Sequence, residues 1–432
     1  MSEDAIGGAR HTEEGTSARQ GTEEGTPIRQ GIVPSYLLSR LAESGLYRQA
    51  AQAARQTLIA PSPLQHRTQL RLSIDEHGSL VAEVEAAPDR TISDAHNTEE
   101  LPGTVVRREG DAPVADTAVD QAYDGLGATF AMLLDAFERN SIDGAGAPLD
   151  ASVHYGTDYD NAFWNGERMV FGDGDGEVFQ HFTASTTVIG HELGHGVIQS
   201  TANLEYAGQP GALNESIADV FGALTEQHLR DQTVDQATWL IGAGIFTKNV
   251  KGVALRSMLH PGTAYDDPEL GKDPQPADMS GYVQTTDDNG GVHINSGIPN
   301  RAFALFAVAV GGKAWETAGS VWYRALTGTL SPKATFAEFA EATIREAEAV
   351  GTSTADAARA AWTSVGVVAT GAGADSSTRT KKADAPKKGE APRKGEAPKK
   401  PKSGKKSPKG EKKSPEGEKK PAKRETGKAG NA

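Results

Sequence analysis

The sequence predicts an α+β fold, on three observations. Short strand-like pieces alternate with Gly-rich turns from Val153 to Gly176. From Thr186 the chain reads as helices of ordinary length, over 187–199, 211–229, 296–310, 313–326, 334–348 and about 355–365. Residues 117–138 add an earlier helix, with Ala118, Ala122, Leu126, Phe130 and Leu134 at helical spacing. Strands gathered before a run of helices mark an α+β domain rather than alternating βα units.

The front of the chain is polar. Residues 1–31 repeat Thr-Glu-Glu-Gly-Thr at 12–16 and 22–26, each copy running on to Arg-Gln-Gly. The repeat is too short for a solenoid unit and has few apolar groups to bury, so 1–31 is expected to be disordered. Order begins at Ile32-Val33-Pro34-Ser35-Tyr36. A helical pattern follows through Leu37, Leu38, Leu41 and Leu46, then an Ala-rich stretch to about Leu58, and Ala60-Pro61-Ser62-Pro63 breaks it. A strand pair is expected at 69–74 and 80–84, flanking His77-Gly78. At the other end, 371–432 is a Lys/Pro/Gly/Ser/Glu tail with too little apolar surface to offset ordering entropy.

The 432 residues allow two or three domains, and the polar ends explain an apolar fraction of only 37%. There is no cysteine, so any metal must be held by His, Asp or Glu. No apolar run approaches the ~18–20 residues that span a bilayer. Met1-Ser2-Glu3-Asp4 lacks the features of a secretory signal, so a cytoplasmic protein, or one exported by a non-classical route, is expected. The net charge of -14 is uneven: from Ser376 onward 20 Lys+Arg face 7 Asp+Glu, leaving 24 basic and 51 acidic residues before it. An acidic body disfavours nucleic-acid binding by the folded part. The basic tail can meet DNA, RNA or another polyanion through counterion release, or remain a solvated tail. Gel shifts with and without residues 376–432, at two salt concentrations, separate these readings.

The chemistry centres on His191-Glu192-Leu193-Gly194-His195. One helical turn separates the histidines, so both can bind one zinc ion, and Glu192 can reach a water there as general base. The competing reading is a pair of surface histidines, which predicts no third ligand nearby. Asn214-Glu215-Ser216-Ile217-Ala218-Asp219 supplies one: Glu215 completes a His-His-Glu set, and Asp219 can accept the free N–H of a ligand histidine. Its plainer reading is an acidic helix start. Asp288-Asn289-Gly290-Gly291-Val292-His293 contains a Gly-Gly turn that can thrust His293 toward the metal as an oxyanion donor, held by Asp288. Its plainer reading is a polar loop before a helix.

Together these residues resemble the thermolysin family of zinc endopeptidases. The matching stretches are HELGHGV at 191–197, Asn-Glu-x-x-x-Asp at 214–219, DNGGVHINSG at 288–297, NAFWNGERMVFGDGDG at 161–176 and LRSM at 255–258. The likeness runs from about residue 92 to Val368, including Ala-Trp-x-x-Val-Gly-Val at 361–367. It implies a two-lobed metallopeptidase, with a β-rich N-terminal lobe (90–200), an α-helical C-terminal lobe (201–370) and the active-site helix between them. It implies His191, His195 and Glu215 as zinc ligands, Glu192 as general base, His293 with Asp288 and Tyr206 as oxyanion donors, and Asp219 as partner of His191. It implies Asn161 and the Ala162 backbone as substrate-strand contacts, and Arg256 as the grip on a substrate carbonyl. Phe179, Phe182, Val188 and Leu255 then line a specificity pocket that favours hydrophobic residues on the primed side.

Two departures refine the resemblance. Thr187 stands where secreted members carry a calcium-binding acid, and although Glu226 is kept, Trp239-Leu240-Ile241-Gly242-Ala243 lacks the acids of a later element. Calcium needs several oxygen ligands, so the paired site is expected to be lost. The front end resembles precursors of the protealysin-like group, with Pro34-Ser35-Tyr36 in place of their Pro-Pro-Tyr. This implies that 32–89 is a short inhibitory propeptide removed by self-cleavage, and that protein substrates and this propeptide are the partners of a monomer. Two alternatives stand: an inactive peptidase-like body that serves as a binding module, and another zinc hydrolase such as an aminopeptidase, against which the Asn161-Ala162 element speaks.

Overall fold

The computed structural model describes residues 31–60 and 86–369. Of the segment 1–31 expected to be disordered, 1–30 lies outside these residues, as do the strand pair at 69–84 and the basic tail, whereas Gly31 is ordered and buried because its carbonyl is held by His293.

Helices α1 (Ser35–Ala42) and α2 (Arg48–Ile59) replace the single helical pattern read there. Ser44-Gly45 interrupts it, and Leu46, which fits the period, is 65% exposed. Strands β1 (Arg90–Asp94) and β2 (Thr104–Arg108), unmarked by the sequence reading, join β3 (Leu149–Val153), β4 (Ala162–Trp164) and β5 (Met169–Phe171). The sheet order is β2-β1-β3-β5-β4, with β1, β3 and β5 parallel and the outer strands antiparallel to their neighbours. Between β4 and β5, Gly166 has φ 98 and the Asn165 side chain accepts from the Glu167 and Arg168 amides, which closes the hairpin. β4 is the edge strand of the sheet, and its outer side faces groups from outside the sheet.

Helix α3 (Thr117–Phe137) starts where Asp116 accepts the Ala118 and Val119 amides. It packs on the sheet and on α4 (Thr186–Gln199) and α5 (Gly208–Leu229). The helical lobe follows as α6 (Asp288–Asn295), α7 (Gly297–Val310), α8 (Thr317–Thr327), α9 (Phe336–Val350) and α10 (Thr352–Ser364). Its core holds Trp322 stacked on Trp362 at 5.7 Å, and Trp362 Nε1 donates to Thr343 Oγ1 at 2.8 Å.

Two glycine contacts set the site. A Cβ on Gly194 would lie 3.0 Å from the Ala218 Cα, and one on Gly222 only 2.4 Å from the Thr187 carbonyl oxygen. Hydrogen at these positions lets α4 and α5 cross at backbone distance, which brings Glu215 to the two histidines.

Candidate metal centre and cleft

α4 is buried from Thr187 to Ile198, so the histidine pair does not face solvent. His191 Nδ1 meets Asp219 Oδ1 at 2.7 Å, and His195 Nδ1 meets Asn214 Oδ1 at 2.8 Å. The Asn214 amide nitrogen donates to the Leu204 carbonyl, which fixes its oxygen toward His195. Both Nδ1 atoms therefore carry the proton, and both Nε2 atoms present lone pairs. Those Nε2 atoms lie 3.1 Å apart, with Glu215 oxygens 3.6 Å from His191 Nε2 and 3.5 Å from His195 Nε2. Burial pushes both histidines down to about 4, against the pull of Asp219 on His191 and of Asn214 on His195, so they are neutral at pH 7.

Three acceptors thus converge with no proton between them, and Glu215 Oε2 is buried without a hydrogen-bond partner. A cation resolves this arrangement. Zinc takes nitrogen ligands at about 2.0–2.1 Å, so nitrogens spaced as these are can share one ion. Among the described residues, His191, His195 and Glu215 are the one group of His, Asp and Glu whose ligand atoms all lie within 4.8 Å of one another.

Glu192 Oε2 accepts the Trp164 amide at 2.8 Å, while Oε1 is buried and has no partner. Burial, then the nearby Glu215, raises its carboxyl well above the usual range. Asp219 also accepts two bonds from Arg256, at 2.7 and 2.9 Å, and one from Asn300 at 2.8 Å. Burial alone would raise Asp219, but Arg256 and His191 outweigh it and hold the carboxylate ionised.

α6 opens on Asn289, Gly290 and Gly291 at φ 52, 87 and 76, a left-handed run that suits Asn and Gly. The turn directs His293 inward. Asp288 accepts from its ring Nδ1 at 2.6 Å and from its amide at 2.9 Å. Burial pulls His293 down, yet Glu215 and Asp288 together push it up to about 9. Its Nε2 lies 3.3 Å from the Tyr206 hydroxyl, which also donates to Glu215 Oε1. Asn214 and Glu215 lie inside α5 rather than at its start, so the reading as a helix cap is set aside.

The cleft holds the chain's own residues 31–33. His293 Nε2 meets the Gly31 carbonyl at 3.1 Å. The Ile32 amide donates to the Ala162 carbonyl at 3.0 Å, and Arg256 donates to the Ile32 carbonyl at 3.0 Å. The Asn161 side chain accepts the Val33 amide at 2.9 Å and donates to the Val33 carbonyl at 3.1 Å. Ile32 is fully buried and joins the apolar cluster that contains Phe179, Phe182, Val188 and Leu255. Pro34 stands at the N-cap of α1, and the Tyr36 hydroxyl lies beside Tyr265.

Sequence reasoning missed Asn214 and Asn300 as partners of His195 and Asp219, the Trp164 amide on Glu192, and the seating of 31–33 in the cleft. Only Asn214 carried a signal, as the first residue of the Asn-Glu motif.

Two family models match the chain: the thermolysin metallopeptidase catalytic domain over residues 68–199, and the thermolysin metallopeptidase alpha-helical domain over 202–367. An extracellular metalloprotease of Pectobacterium carotovorum subsp. carotovorum is 48% identical, over 78% of this chain and 96% of that protein. Protease PrtS of Photorhabdus sp. (strain Az29) is 47% identical, over 73% of this chain and 86% of its own length. The solved structure of the precursor of protealysin, a metalloproteinase from Serratia proteamaculans, superposes with a TM-score of 0.72 at 49% identity, covering 79% of this chain and all of that one.

Proposed function

The chain belongs to the thermolysin family of metallopeptidases, in its protealysin-like branch, and on that premise we propose how its residues divide the work of a zinc endopeptidase made as a latent precursor. The observation that carries the proposal is the convergence of two histidine lone pairs and a carboxylate with no proton between them. His191, His195 and Glu215 hold the metal. Zinc supplies a Lewis acid that polarises a carbonyl and acidifies water. Glu192, oriented by the Trp164 amide, takes the proton from the attacking water through its free oxygen. His293, held by Asp288, and Tyr206 donate to the oxygen on which charge develops. Asn161, the Ala162 carbonyl and Arg256 grip an extended chain as an added strand at the edge of β4. The test is casein hydrolysis by processed protein. A zinc chelator is expected to stop it and added zinc to restore it; cleavage that persists without metal would sink the reading.

Phe179, Phe182, Val188 and Leu255 give an apolar pocket, so bulky hydrophobic residues are expected just after the cut. Cleavage sites mapped in a peptide library check this, and charged residues leading there would refute it.

Residues 32–89 act as the inhibitory propeptide, because 31–33 already fill the contacts a substrate needs. The body helps dock the helices that follow: Glu177 accepts the Gln49 and Ala50 amides at the start of α2, and Ser44 donates to Glu269. The enzyme then frees itself by self-cleavage. Its site of action is outside the cell, as the name of the Pectobacterium protein says of that relative. No described helix is long and apolar enough to cross a membrane.

The paired calcium site is lost. Glu226 is tied to Arg230 at 3.0 Å, and Thr187 Oγ1 accepts the Gly242 amide at 2.9 Å. Millimolar calcium is expected to leave the melting temperature unchanged, and a rise of several degrees would contradict this.

A further inference from the structure

We propose that the Gly31–Ile32 peptide bond is a self-cleavage site, held as a substrate in the enzyme's own cleft. The inference rests on the substrate-contact roles proposed above, and the register of the segment 31–33 carries it further. Each backbone group from the Gly31 carbonyl to the Val33 carbonyl meets one of these residues, in chain order: His293, Ala162, Arg256, then Asn161 through both ends of its amide. In acyl transfer the oxyanion donor stands at the carbonyl under attack. Here that carbonyl belongs to Gly31, so the bond that follows it, to the Ile32 nitrogen, is the one that breaks.

The side chains agree with this register. Ile32 is the first residue after the bond and is fully buried, as an apolar primed-side pocket requires. Gly31 is buried too, and a Cβ there would lie 2.6 Å from Asn161 Nδ2, the atom that donates to Val33. A side chain at 31 would therefore displace the clamp on the next residues.

The step is a hydrolysis. Water adds its oxygen to the Gly31 carbonyl carbon, the C–N bond breaks, Glu192 passes one water proton to the Ile32 nitrogen, and the second follows as the new acid ionises, leaving an Ile32 ammonium. Residues 1–31 leave with a Gly31 carboxylate. Ile32 and Val33 keep their bonds to Ala162, Arg256 and Asn161, and α1 and α2 stay docked, so the cut product continues to fill the primed side. Loss of 1–31 thus precedes removal of the helices, and the cut chain is still latent. Because the segment lies in the cleft of its own chain, the reaction is unimolecular.

The test uses the full zinc-loaded chain, followed by intact mass and N-terminal sequencing at two protein concentrations a hundredfold apart, beside Glu192→Gln and Gly31→Val. The expected result is a new N-terminus at Ile32 that forms with the same half-time at both concentrations. It is absent in Glu192→Gln and at least tenfold slower in Gly31→Val. Casein hydrolysis is read on the same samples over time. Casein cleavage with residue 31 still joined to 32, or with a first cut elsewhere, overturns the register while the peptidase reading stands. Loss of 1–31 from Glu192→Gln at the wild-type rate overturns self-cleavage. Neither processing nor casein hydrolysis overturns both proposals.

Discussion

Glu192→Gln is expected to lower peptide hydrolysis by about 10²–10⁴-fold, the usual contribution of a general base. The substitution is a clean one. Glu192 is fully buried, and one of its oxygens does nothing in the fold but accept the Trp164 amide. A glutamine oxygen can accept the same bond, so packing and the position of β4 are kept. The second oxygen has no partner, and the amide group that replaces it cannot take a proton. The drop should therefore fall on kcat, with KM and the melting temperature nearly unchanged. Steady-state kinetics on wild type and on Glu192→Gln, the variant's propeptide removed in trans by added wild-type enzyme that is then separated from it, and a thermal melt check both parts. A variant that loses stability along with activity would place Glu192 in the fold rather than in the reaction.

Asp219→Ala is expected to cost about 3–5 kcal/mol of stability, as breaking a buried ion pair does. Asp219 is fully buried and takes bonds from His191, Arg256 and Asn300. Its removal strands the Arg256 guanidinium, itself 2% exposed, without a counter-charge. It also frees the His191 ring to turn, and loss of such a partner weakens metal binding by about 10–100-fold. Asp219→Asn keeps the shape and is expected to fall between wild type and alanine. Denaturant unfolding and zinc titration of the three proteins check the order. Unchanged zinc affinity in the alanine variant would show that α4 alone orients His191.

Much of the centre was legible because its signals are local. The spacing of His191 and His195 states which face of α4 they share, and Asp-Asn-Gly-Gly before His293 suits a left-handed turn that side chains resist. Long-range features left no local mark. The segment 31–33 is tied to Asn161 across 128 positions, and nothing in Gly31-Ile32-Val33 alone distinguishes it from a helix lead-in. The crossing of α4 and α5 depends on Gly194 meeting Ala218 and Gly222 meeting Thr187, which requires both helices at once. Helix starts shifted where a Gly or Pro lies inside the first turn: α5 begins at Gly208, before Pro210, and not at residue 211. α8 begins at Thr317, after a turn at 313–316 that continued the helical period in sequence. β1 and β2 went unread because their residues, Arg-Thr-Ile-Ser-Asp and Thr-Val-Val-Arg-Arg, are too polar to stand out as strands. The division into the α+β halves survived these shifts, since it rests on the order of periodicities and not on element ends.

Zinc content per chain, measured by mass spectrometry after desalting, tests the centre most directly when wild type, Glu192→Gln and Glu215→Ala are compared. One zinc ion is expected in wild type and in Glu192→Gln, with only trace metal in Glu215→Ala. Glu215→Ala that keeps one zinc ion per chain and cleaves casein at the wild-type rate would contradict the account.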